Sequence, residues 1–263
     1  MIANDENKRK LISHIFLATF LAMVNNKTLP SVSIIIPTYN ELENVKVFVP
    51  LLVKKFSGIL YEIIVVDDSS PDGTGEEVLK LAAEISNVRL ISRKEKNGIG
   101  NALRHGYDSA NNEIILSCDC DLSFSPDDIM KLYNKITNEN YDIVIGSRHS
   151  KSSGYETPRL AIALKYAVSR LGNDLLRALF RVPVHDFSVN CRAIRRDTWR
   201  SFTTKENGNF FLFEMIFLAQ KAGARVGEVP VTFHDRRYGN SKINHATEIP
   251  KAFLKMIIYL LRR

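Results

Sequence analysis

The sequence predicts a doubly wound α/β fold, in which one sheet lies between helices on both of its faces. Three observations predict it: short runs of Val, Ile and Leu, helical stretches between those runs, and 263 residues with 45% apolar side chains, enough to bury a large core. Five of the runs are typical of buried parallel strands, at residues 33–36, 61–66, 88–91, 113–117 and 142–146. Ligands of such sheets bind beyond the carboxyl ends of the strands, which is where we expect the functional site.

The segments between these strands have helical character. Four helices are predicted there, at residues 41–56, 75–85, 99–110 and 126–138. The last begins with Ser125 as its cap and Pro126 in its first turn. Beyond residue 148, the sequence predicts a long amphipathic helix at 157–180, a helix at 210–222 and a strand at 225–233. Because no Gly-, Pro- or Ser-rich linker separates the halves, we expect one domain over residues 31–246 with a short segment at each end.

Charge is distributed unevenly along the chain. Residues 1–147 contain 15 Lys and Arg against 20 Asp and Glu, whereas residues 148–263 contain 21 against 9. The basic half predicts either contact with an anionic ligand, such as a phosphorylated substrate, a membrane surface or nucleic acid, or a solvated basic face. The three cysteines, Cys118, Cys120 and Cys191, have no paired spacing, which excludes a disulfide framework and a C-x-x-C metal site and favours a reducing compartment.

Two short apolar segments lie near the ends of the chain. Residues 11–24 follow the cations at 8–10, and residues 249–261 are accompanied by Lys251, Lys255 and two terminal arginines. Each run is shorter than the ~20 residues that a helix needs to cross a bilayer. We therefore expect segments 1–30 and 247–263 either to lie in a membrane surface, with their cations at anionic headgroups, or to pack on the domain.

Acidic side chains follow two of the predicted strands. Asp67, Asp68 and Asp72 follow the second strand, and Asp119 and Asp121 follow the fourth. Carboxylates this close together need a cation or hydrogen-bond donors to offset their repulsion. A pair at a strand end suits a divalent metal that also binds the phosphates of a nucleotide. A phosphoacceptor receiver domain would show similar pairs but would leave the basic half unexplained, and the 98–100 Gly-x-Gly lacks the third glycine of a dinucleotide-binding turn.

Six segments occur in an order and at spacings that resemble the dolichyl-phosphate mannose synthases. They are residues 37–41, 65–74, 97–102, 119–123, 146–148 and 236–242. The Ser-Pro-Asp-Gly-Thr stretch at 70–74 and the later Gly-x-Ser-Lys are the most discriminating pieces. Those enzymes are inverting family-2 glycosyltransferases with the GT-A fold. The resemblance runs from about Ser31 to the end of the chain and implies the same fold here.

The resemblance also implies roles for individual residues. The donor nucleotide would be held by Pro37, Tyr39, Glu41, Val66, Asp68, Asp119 and Cys120. A magnesium or manganese ion would be held by Asp119, Asp121 and Ser123. Asp121 would also take part in catalysis, with phosphates contacted by Arg148, Arg236 and Lys242. The lipid phosphate of the acceptor would be contacted by Lys165, Ser169 and Arg192. Two features depart from the family pattern: Cys120 replaces a usual alanine, and the stretch 187–192 lacks a usual glycine.

The implied reaction is inverting transfer of mannose from GDP-mannose to dolichyl or another polyprenyl phosphate. We expect it at the cytosolic face of a membrane, the endoplasmic reticulum in a eukaryote or the cell membrane in a prokaryote. The lipid phosphate is already anionic, so the protein must supply charge stabilisation and positioning, and no strong base. Two alternatives stay open: a polyprenyl-phosphate glucose synthase that uses UDP-glucose, and a non-catalytic sugar-nucleotide binding subunit. Some family members have C-terminal transmembrane helices that this sequence lacks, so a membrane-anchoring partner subunit is also possible, whereas nucleic acid is not an expected partner.

Overall fold

A computed structural model describes residues 29–150, 152–155, 160–239 and 245–261. The N-terminal apolar segment and Lys242 lie outside the described residues, so the roles expected for them stay predictions. Among the helices that are described, none is long and apolar enough to span a bilayer.

A seven-stranded sheet forms the centre of the molecule. Its strands are β1 (Val32–Thr38), β2 (Tyr61–Asp67), β3 (Val88–Ser92), β4 (Ile114–Cys118), β5 (Ile143–Ser147), β7 (Cys191–Arg195) and β8 (Val226–Pro230). Their order in space is β3-β2-β1-β4-β7-β5-β8, and all pairs are parallel except those that β7 makes with β4 and β5. The two-residue strands β6 (Gly154–Tyr155) and β9 (Thr232–Phe233) pair with each other beside this sheet.

Helices cover both faces of the sheet. They are α1 (Leu42–Phe56), α2 (Thr74–Glu84), α3 (Ile99–Asp108), α4 (Pro126–Asn138), α5 (Leu160–Phe180), α6 (Arg196–Arg200), α7 (Phe211–Lys221) and α8 (His245–Leu261). Successive side chains of a strand point to opposite faces. In β1, Ile34 and Ile36 therefore join the core formed with α1 and α4, whereas Ile35 joins the core formed with α3, α7 and α8. The predicted doubly wound α/β fold is confirmed, with the sheet mixed because of β7.

Two parts of the second half differ from the prediction. The stretch predicted as one strand at 225–233 is divided into β8 and β9, because the partner strand β5 ends at Ser147, opposite Pro230, and Thr232 pairs instead with Gly154 of β6. Strand β7 and helix α6 are additions to the predicted elements. Arg192 and Arg195 interrupt the apolar pattern of β7, yet both are accommodated, and Arg195 donates to the carbonyl oxygens of Tyr141 and Ile136.

Candidate active site

Three loops leave the carboxyl ends of β1, β2 and β4 and lie side by side, because these strands are neighbours in the sheet. Each loop contains a non-glycine residue with a left-handed backbone: Asn40 (φ 55°), Ser69 (φ 52°) and Leu122 (φ 61°). This conformation is uncommon for residues with a side chain and unfavourable for a bulky one such as leucine. Backbone strain of this kind concentrates at ligand sites, so it independently indicates the edge that the sequence predicts.

The Ser-Pro-Asp-Gly-Thr stretch holds the loop after β1 in place. The side chains of Ser70, Thr74 and Asp72 accept hydrogen bonds from the successive backbone N–H groups of residues 40–42, at 2.8, 2.9 and 3.1 Å. Burial acts to raise the pKa of Asp72, but hydrogen bonds from Thr74 and the backbone outweigh it, and the pKa is lowered. Hydrogen-bond donors therefore offset the charge of Asp72, and its position indicates a structural role.

Asp68 and Arg93 form a buried ion pair beside this loop. Arg93 Nη1 lies 3.0 Å from Asp68 Oδ1, and both side chains are only 7% exposed. Burial raises the pKa of Asp68, and the charge of Arg93 offsets this only in part. Arg93 follows β3 directly, so its place at a strand end was the signal that sequence reasoning overlooked. Nearby, Lys96 Nζ lies 3.9 Å from the ring centre of Tyr39, which is partly exposed at the same edge.

The loop after β4 brings together the two aspartates predicted to bind metal. Asp121 is buried, and its Oδ2 lies 3.0 Å from Arg236 Nη2, whose Nη1 is 3.7 Å from Glu41 Oε1. Asp119 is partly buried and accepts a 2.9 Å hydrogen bond from Asn190 Nδ2. Burial, followed by the charge of Asp121, raises the pKa of Asp119 to about 7.

Residues 234–238, which belong to the basic second half of the chain, contact these acidic loops. The backbone N–H of His234 donates to the carbonyl oxygen of Ser123 at 3.0 Å, and the N–H of Arg237 donates to that of Asp121 at 3.3 Å. Asn44 Nδ2 donates to the carbonyl oxygen of Tyr238 at 3.4 Å. The two halves distinguished by charge in the sequence therefore meet at one site.

The aspartate pair fits a divalent cation. Burial and the charge of Asp121 disfavour the ionised form of Asp119, and a bound cation would favour it. The guanidinium of Arg236, 3.0 Å from Asp121, shows that positive charge is already attracted to this position. Within the described part of the chain, no group of three or more His, Cys, Asp or Glu side chains could hold a metal alone. Two carboxylates suit Mg²⁺, which keeps waters and takes phosphate oxygens. Ser123 belongs to the same loop, and its N–H donates to Asp121 Oδ1 at 3.0 Å.

A second charged group forms around Arg148. Its Nε and Nη2 contact the two carboxylate oxygens of Asp186 at 2.8 and 3.1 Å, and Nη2 also donates to Ser188 Oγ at 2.7 Å. Burial acts to raise the pKa of Asp186, but Arg148 outweighs it, and the pKa is lowered. Ser169 Oγ lies 3.5 Å from Ser188 Oγ, so Ser188 contacts both Arg148 and Ser169. Lys165 lies one turn before Ser169 in α5, and its side chain is outside the described part of the structure.

One short loop connects the two charged groups. Residues 186–190 place Asp186 at Arg148 and, four residues later, Asn190 at Asp119. The antiparallel pairing of β4 with β7 has Cys118 opposite Cys191, so the residues just beyond, Asp119 and Asn190, face each other. Asn190 is not among the residues that the sequence predicts at the site, because its position depends on the pairing of β7 with β4.

The structure corrects the role expected for Arg192. This side chain is fully buried and donates to the backbone carbonyl oxygens of Val189, Leu212 and Phe187 at 3.1, 2.8 and 3.3 Å. Its donors are used inside the core, so the predicted contact with a lipid phosphate is wrong.

Three residues predicted at the donor site lie in or beside the sheet. The side chains of Val66 and Cys120 are buried in the two hydrophobic cores, which leaves only their backbone to face a nucleotide. Pro37 is partly buried within β1, opposite Val66 of β2.

Comparison with known sequences identifies relatives across most of the chain. Glycosyl transferase family 2 matches residues 33–202. The undecaprenyl-phosphate mannosyltransferase of Micrococcus luteus is 33% identical over 226 residues, covering 80% of this chain and 86% of that protein. The polyprenol monophosphomannose synthase of Mycolicibacterium smegmatis is 32% identical, covering 85% and 84%. The dolichol-phosphate mannosyltransferase of Pyrococcus furiosus is 33% identical over 82% of this chain, which spans 60% of that relative's length.

Solved structures share the fold at lower sequence identity. Glucosyl-3-phosphoglycerate synthase from Mycobacterium tuberculosis, crystallised with Mn²⁺, UDP and phosphoglyceric acid, has a TM-score of 0.64 at 19% identity, over 89% of this chain and 78% of that one. Mannosyl-3-phosphoglycerate synthase from Rubrobacter xylanophilus has a TM-score of 0.63 at 15% identity, over 89% and 74%. The predicted GT-A fold is thereby confirmed. The chain belongs to glycosyl transferase family 2, in the group of polyprenyl-phosphate mannosyltransferases.

Proposed function

We propose that this glycosyltransferase moves mannose from GDP-mannose to dolichyl or another polyprenyl phosphate, with inversion and with Mg²⁺ or Mn²⁺. The observation that carries the proposal is the attachment of residues 234–238 to the loop after β4, which brings Arg236 to Asp121 and Glu41. A reaction between two phosphate-bearing substrates needs carboxylates that bind a metal ion, and it also needs cationic side chains that bind the phosphates. The names of the relatives support mannose as the sugar and a polyprenyl phosphate as the acceptor.

The donor would bind along the carboxyl ends of β1, β2 and β4. Tyr39, Glu41 and Asp68 line the loops there, and Asp68 is held by Arg93, so a fixed carboxylate is available to N–H donors of a base or to ribose hydroxyls. Asp119 and Asp121 would hold the divalent cation, which when bound supplies charge stabilisation for the leaving nucleoside diphosphate. Arg236, together with Lys242, would add positive charge on the phosphates.

The acceptor phosphate would bind at Arg148. Its guanidinium is oriented by two contacts with Asp186, and Ser169 offers a hydroxyl close by, with Lys165 one turn earlier in α5. A phosphate monoester is an anionic nucleophile, so these residues need only hold it in line with the sugar–phosphate bond. Attack from the face opposite the leaving diphosphate gives inversion at the anomeric carbon.

Helix α8 supports attachment to a membrane surface, which we propose to be the cytosolic face. Met256 and Tyr259 pack into the core, whereas Phe253, Leu254 and Ile257 of the same helix are exposed. An apolar outer face beside lysines suits the boundary between lipid headgroups and acyl chains. A membrane-anchoring partner subunit would serve the same purpose.

The test is a transfer assay with the full chain. GDP-mannose and UDP-glucose are each supplied with and without polyprenyl phosphate, and with Mg²⁺, Mn²⁺ or EDTA. We expect mannosyl lipid only with GDP-mannose, acceptor and metal, and a loss of about 10²-fold or more for Asp121→Asn. The matched control is Asp127→Asn, an exposed aspartate of α4. Product from UDP-glucose would identify a glucose synthase, and nucleotide binding without product would identify a non-catalytic subunit.

A further inference from the structure

We infer that the segment at residues 204–210, between α6 and α7, positions the donor-binding edge and ties it to helix α8, and that Glu214 is its positioning residue. This role rests on the proposed function, because the ligand whose binding it affects is the sugar nucleotide. The segment contacts the donor side through the turn that begins α3 and the C-terminal helix through Glu214.

The donor-side contact is made backbone to backbone. Gly98 has a left-handed φ of 81°, and a Cβ there would lie 2.3 Å from the carbonyl oxygen of Asn207. At Gly100, a Cβ would lie 2.5 Å from the Cβ of Phe211. Only glycine permits such an approach. The N–H of Asn101 donates to the carbonyl oxygen of Asn207 at 3.1 Å, so the Gly-x-Gly pattern serves contact with this segment.

The contacts continue from this turn to the predicted nucleotide-binding carboxylate. Asn101 Oδ1 accepts a hydrogen bond from Arg93 Nη2, and Arg93 Nη1 is 3.0 Å from Asp68 Oδ1. Two side chains, Asn101 and Arg93, therefore connect the segment with Asp68. Arg104 of α3 adds a second attachment, since it donates to Thr204 Oγ1 at 2.9 Å and to the carbonyl oxygen of Glu206 at 2.8 Å.

Glu214 holds the segment from its other side. Its side chain belongs to α7, is buried with 1% of the residue exposed, and accepts from the backbone N–H groups of Lys205 and Glu206 at 2.9 and 2.8 Å. The hydroxyl of Tyr259 donates to the same carboxylate at 2.5 Å, and Lys255 pairs with Glu206. Tyr259 and Lys255 are on α8, so the helix and the donor edge are attached to one segment.

Such an arrangement affects affinity because a loop that is ordered before binding costs less to order when the ligand arrives. Loss of the Glu214 carboxylate removes the acceptor that the N–H groups of Lys205 and Glu206 share with the Tyr259 hydroxyl, which favours other conformations of the segment. Arg93 and Asp68 would then be held less firmly, and the nucleotide would bind only the fraction of molecules with the ordered edge. We expect the effect on the donor KM to exceed the effect on kcat.

The experiment measures GDP binding with Mg²⁺ by calorimetry, and the donor KM and kcat, for variants of the full chain. Glu214→Ala should weaken GDP binding by about fivefold or more, and Tyr259→Phe by a smaller factor. Glu214→Gln should restore most of the affinity, since its amide can accept from the two N–H groups and donate to the Tyr259 oxygen. The packing control is Met256→Ala, which should lower the melting temperature and leave GDP affinity unchanged.

Unchanged GDP affinity in Glu214→Ala and Tyr259→Phe would overturn the positioning role, as would an equal loss in Met256→Ala. If Glu214→Ala does not fold, Tyr259→Phe decides alone, because it keeps the ring that packs on Phe210 and Phe217. Failure of the unmodified chain to bind GDP would contradict the proposed donor instead, so the two ideas fail in different ways.

Discussion

At the level of single residues, the site consists of charged side chains that stabilise one another. Asp121 is buried, which is unfavourable for a carboxylate without a partner, and Arg236 supplies that partner at 3.0 Å. Asp119 lies next to the same charge and is compensated less well, as its raised pKa shows. A cation bound at this pair would relieve the repulsion between the two carboxylates. The unfavourable electrostatic free energy of the metal-free site is therefore explained by the proposed metal-binding role.

Asp119→Asn should stabilise the metal-free protein at alkaline pH. The pKa of Asp119 is raised from 3.8 to about 7, so the folded state disfavours its charge and loses stability as the pH rises between these values. Asparagine carries no charge and can still accept from Asn190. We expect the melting temperature at pH 8 to rise by about 2–4 °C, corresponding to about 1 kcal/mol, and the gain to shrink towards pH 4.

Scanning calorimetry in EDTA across this pH range measures the effect. Asp127→Asn is the control, because Asp127 is exposed and paired with Lys55, and no gain is expected from it. A lower melting temperature for Asp119→Asn at pH 8 would contradict the repulsion between the two aspartates.

Arg192→Lys should lower stability without weakening acceptor binding. The guanidinium donates to three carbonyl oxygens inside the core, and one ammonium group cannot reproduce that geometry. Loss of one or two charge-assisted bonds predicts a decrease of about 3 kcal/mol in the free energy of unfolding, measured in urea. Arg148→Lys should have the opposite pair of effects: the free energy of unfolding should change little, and the KM for polyprenyl phosphate should rise. An increased acceptor KM in a fully stable Arg192→Lys variant would restore the original interpretation.

The site residues differ in how readily the sequence reveals them. Asp119 and Asp121 could be predicted because they follow an apolar run that forms a strand, and ligands gather at that edge. Arg93 was overlooked although it directly follows strand β3, whereas Asn190 could not be predicted, since its partner depends on a strand pairing far along the chain. Arg192 was misassigned because a local pattern does not tell whether an arginine faces a ligand or the carbonyl oxygens of its own core.

At the scale of elements, apolar runs were sufficient for the strands that lie between two helical layers. Five runs became β1 to β5 with shifts of only a few residues, because burial on both faces selects continuous apolar residues in β1, β2, β4 and β5, whereas β3 is a partly buried edge strand. The pattern failed for β7, whose two arginines conceal a strand that runs antiparallel and completes the sheet. The edge of the sheet where ligands are expected was therefore predictable, whereas Asn190, which directly precedes β7 and lies at that edge, was not.

Asp72→Ala should loosen the start of α1 and cost about 1 kcal/mol. Asp72 accepts from the N–H of Leu42, the first residue of this helix, and substitutions of capping groups have costs of this size. Hydrogen exchange of the Leu42 amide should become faster, and the donor KM should rise because Glu41 is adjacent. Asp72→Asn keeps an accepting oxygen and should lose less. Unchanged exchange at Leu42 in the alanine variant would exclude the capping role.

At the scale of the whole molecule, the uneven charge of the sequence becomes a spatial arrangement. The acidic first half provides the strand ends of the proposed donor site, and the basic second half contributes Arg236 to that site and Arg148 to the proposed acceptor site. Exposed apolar side chains on α5 and α8, among them Leu171 and Leu254, belong to the same second half. A water-soluble nucleotide and a lipid-linked phosphate would thus meet where the two halves join.

The exposed apolar side chains of α8 should contribute directly to membrane binding. Leu254→Asp should weaken binding of the full chain to anionic vesicles by about tenfold, because it places a charge where an apolar side chain would enter the membrane surface. Leu79→Asp is the matched control: Leu254 is 60% exposed and Leu79 is 58% exposed, but Leu79 lies on α2, away from this face. Binding is measured by flotation with vesicles that contain phosphatidylglycerol, at low and at high salt. The two salt concentrations separate the electrostatic contribution from the apolar one, since salt screens the charge of Lys251 but leaves the apolar contact intact. Equal losses in the two variants would mean that α8 does not contact the membrane.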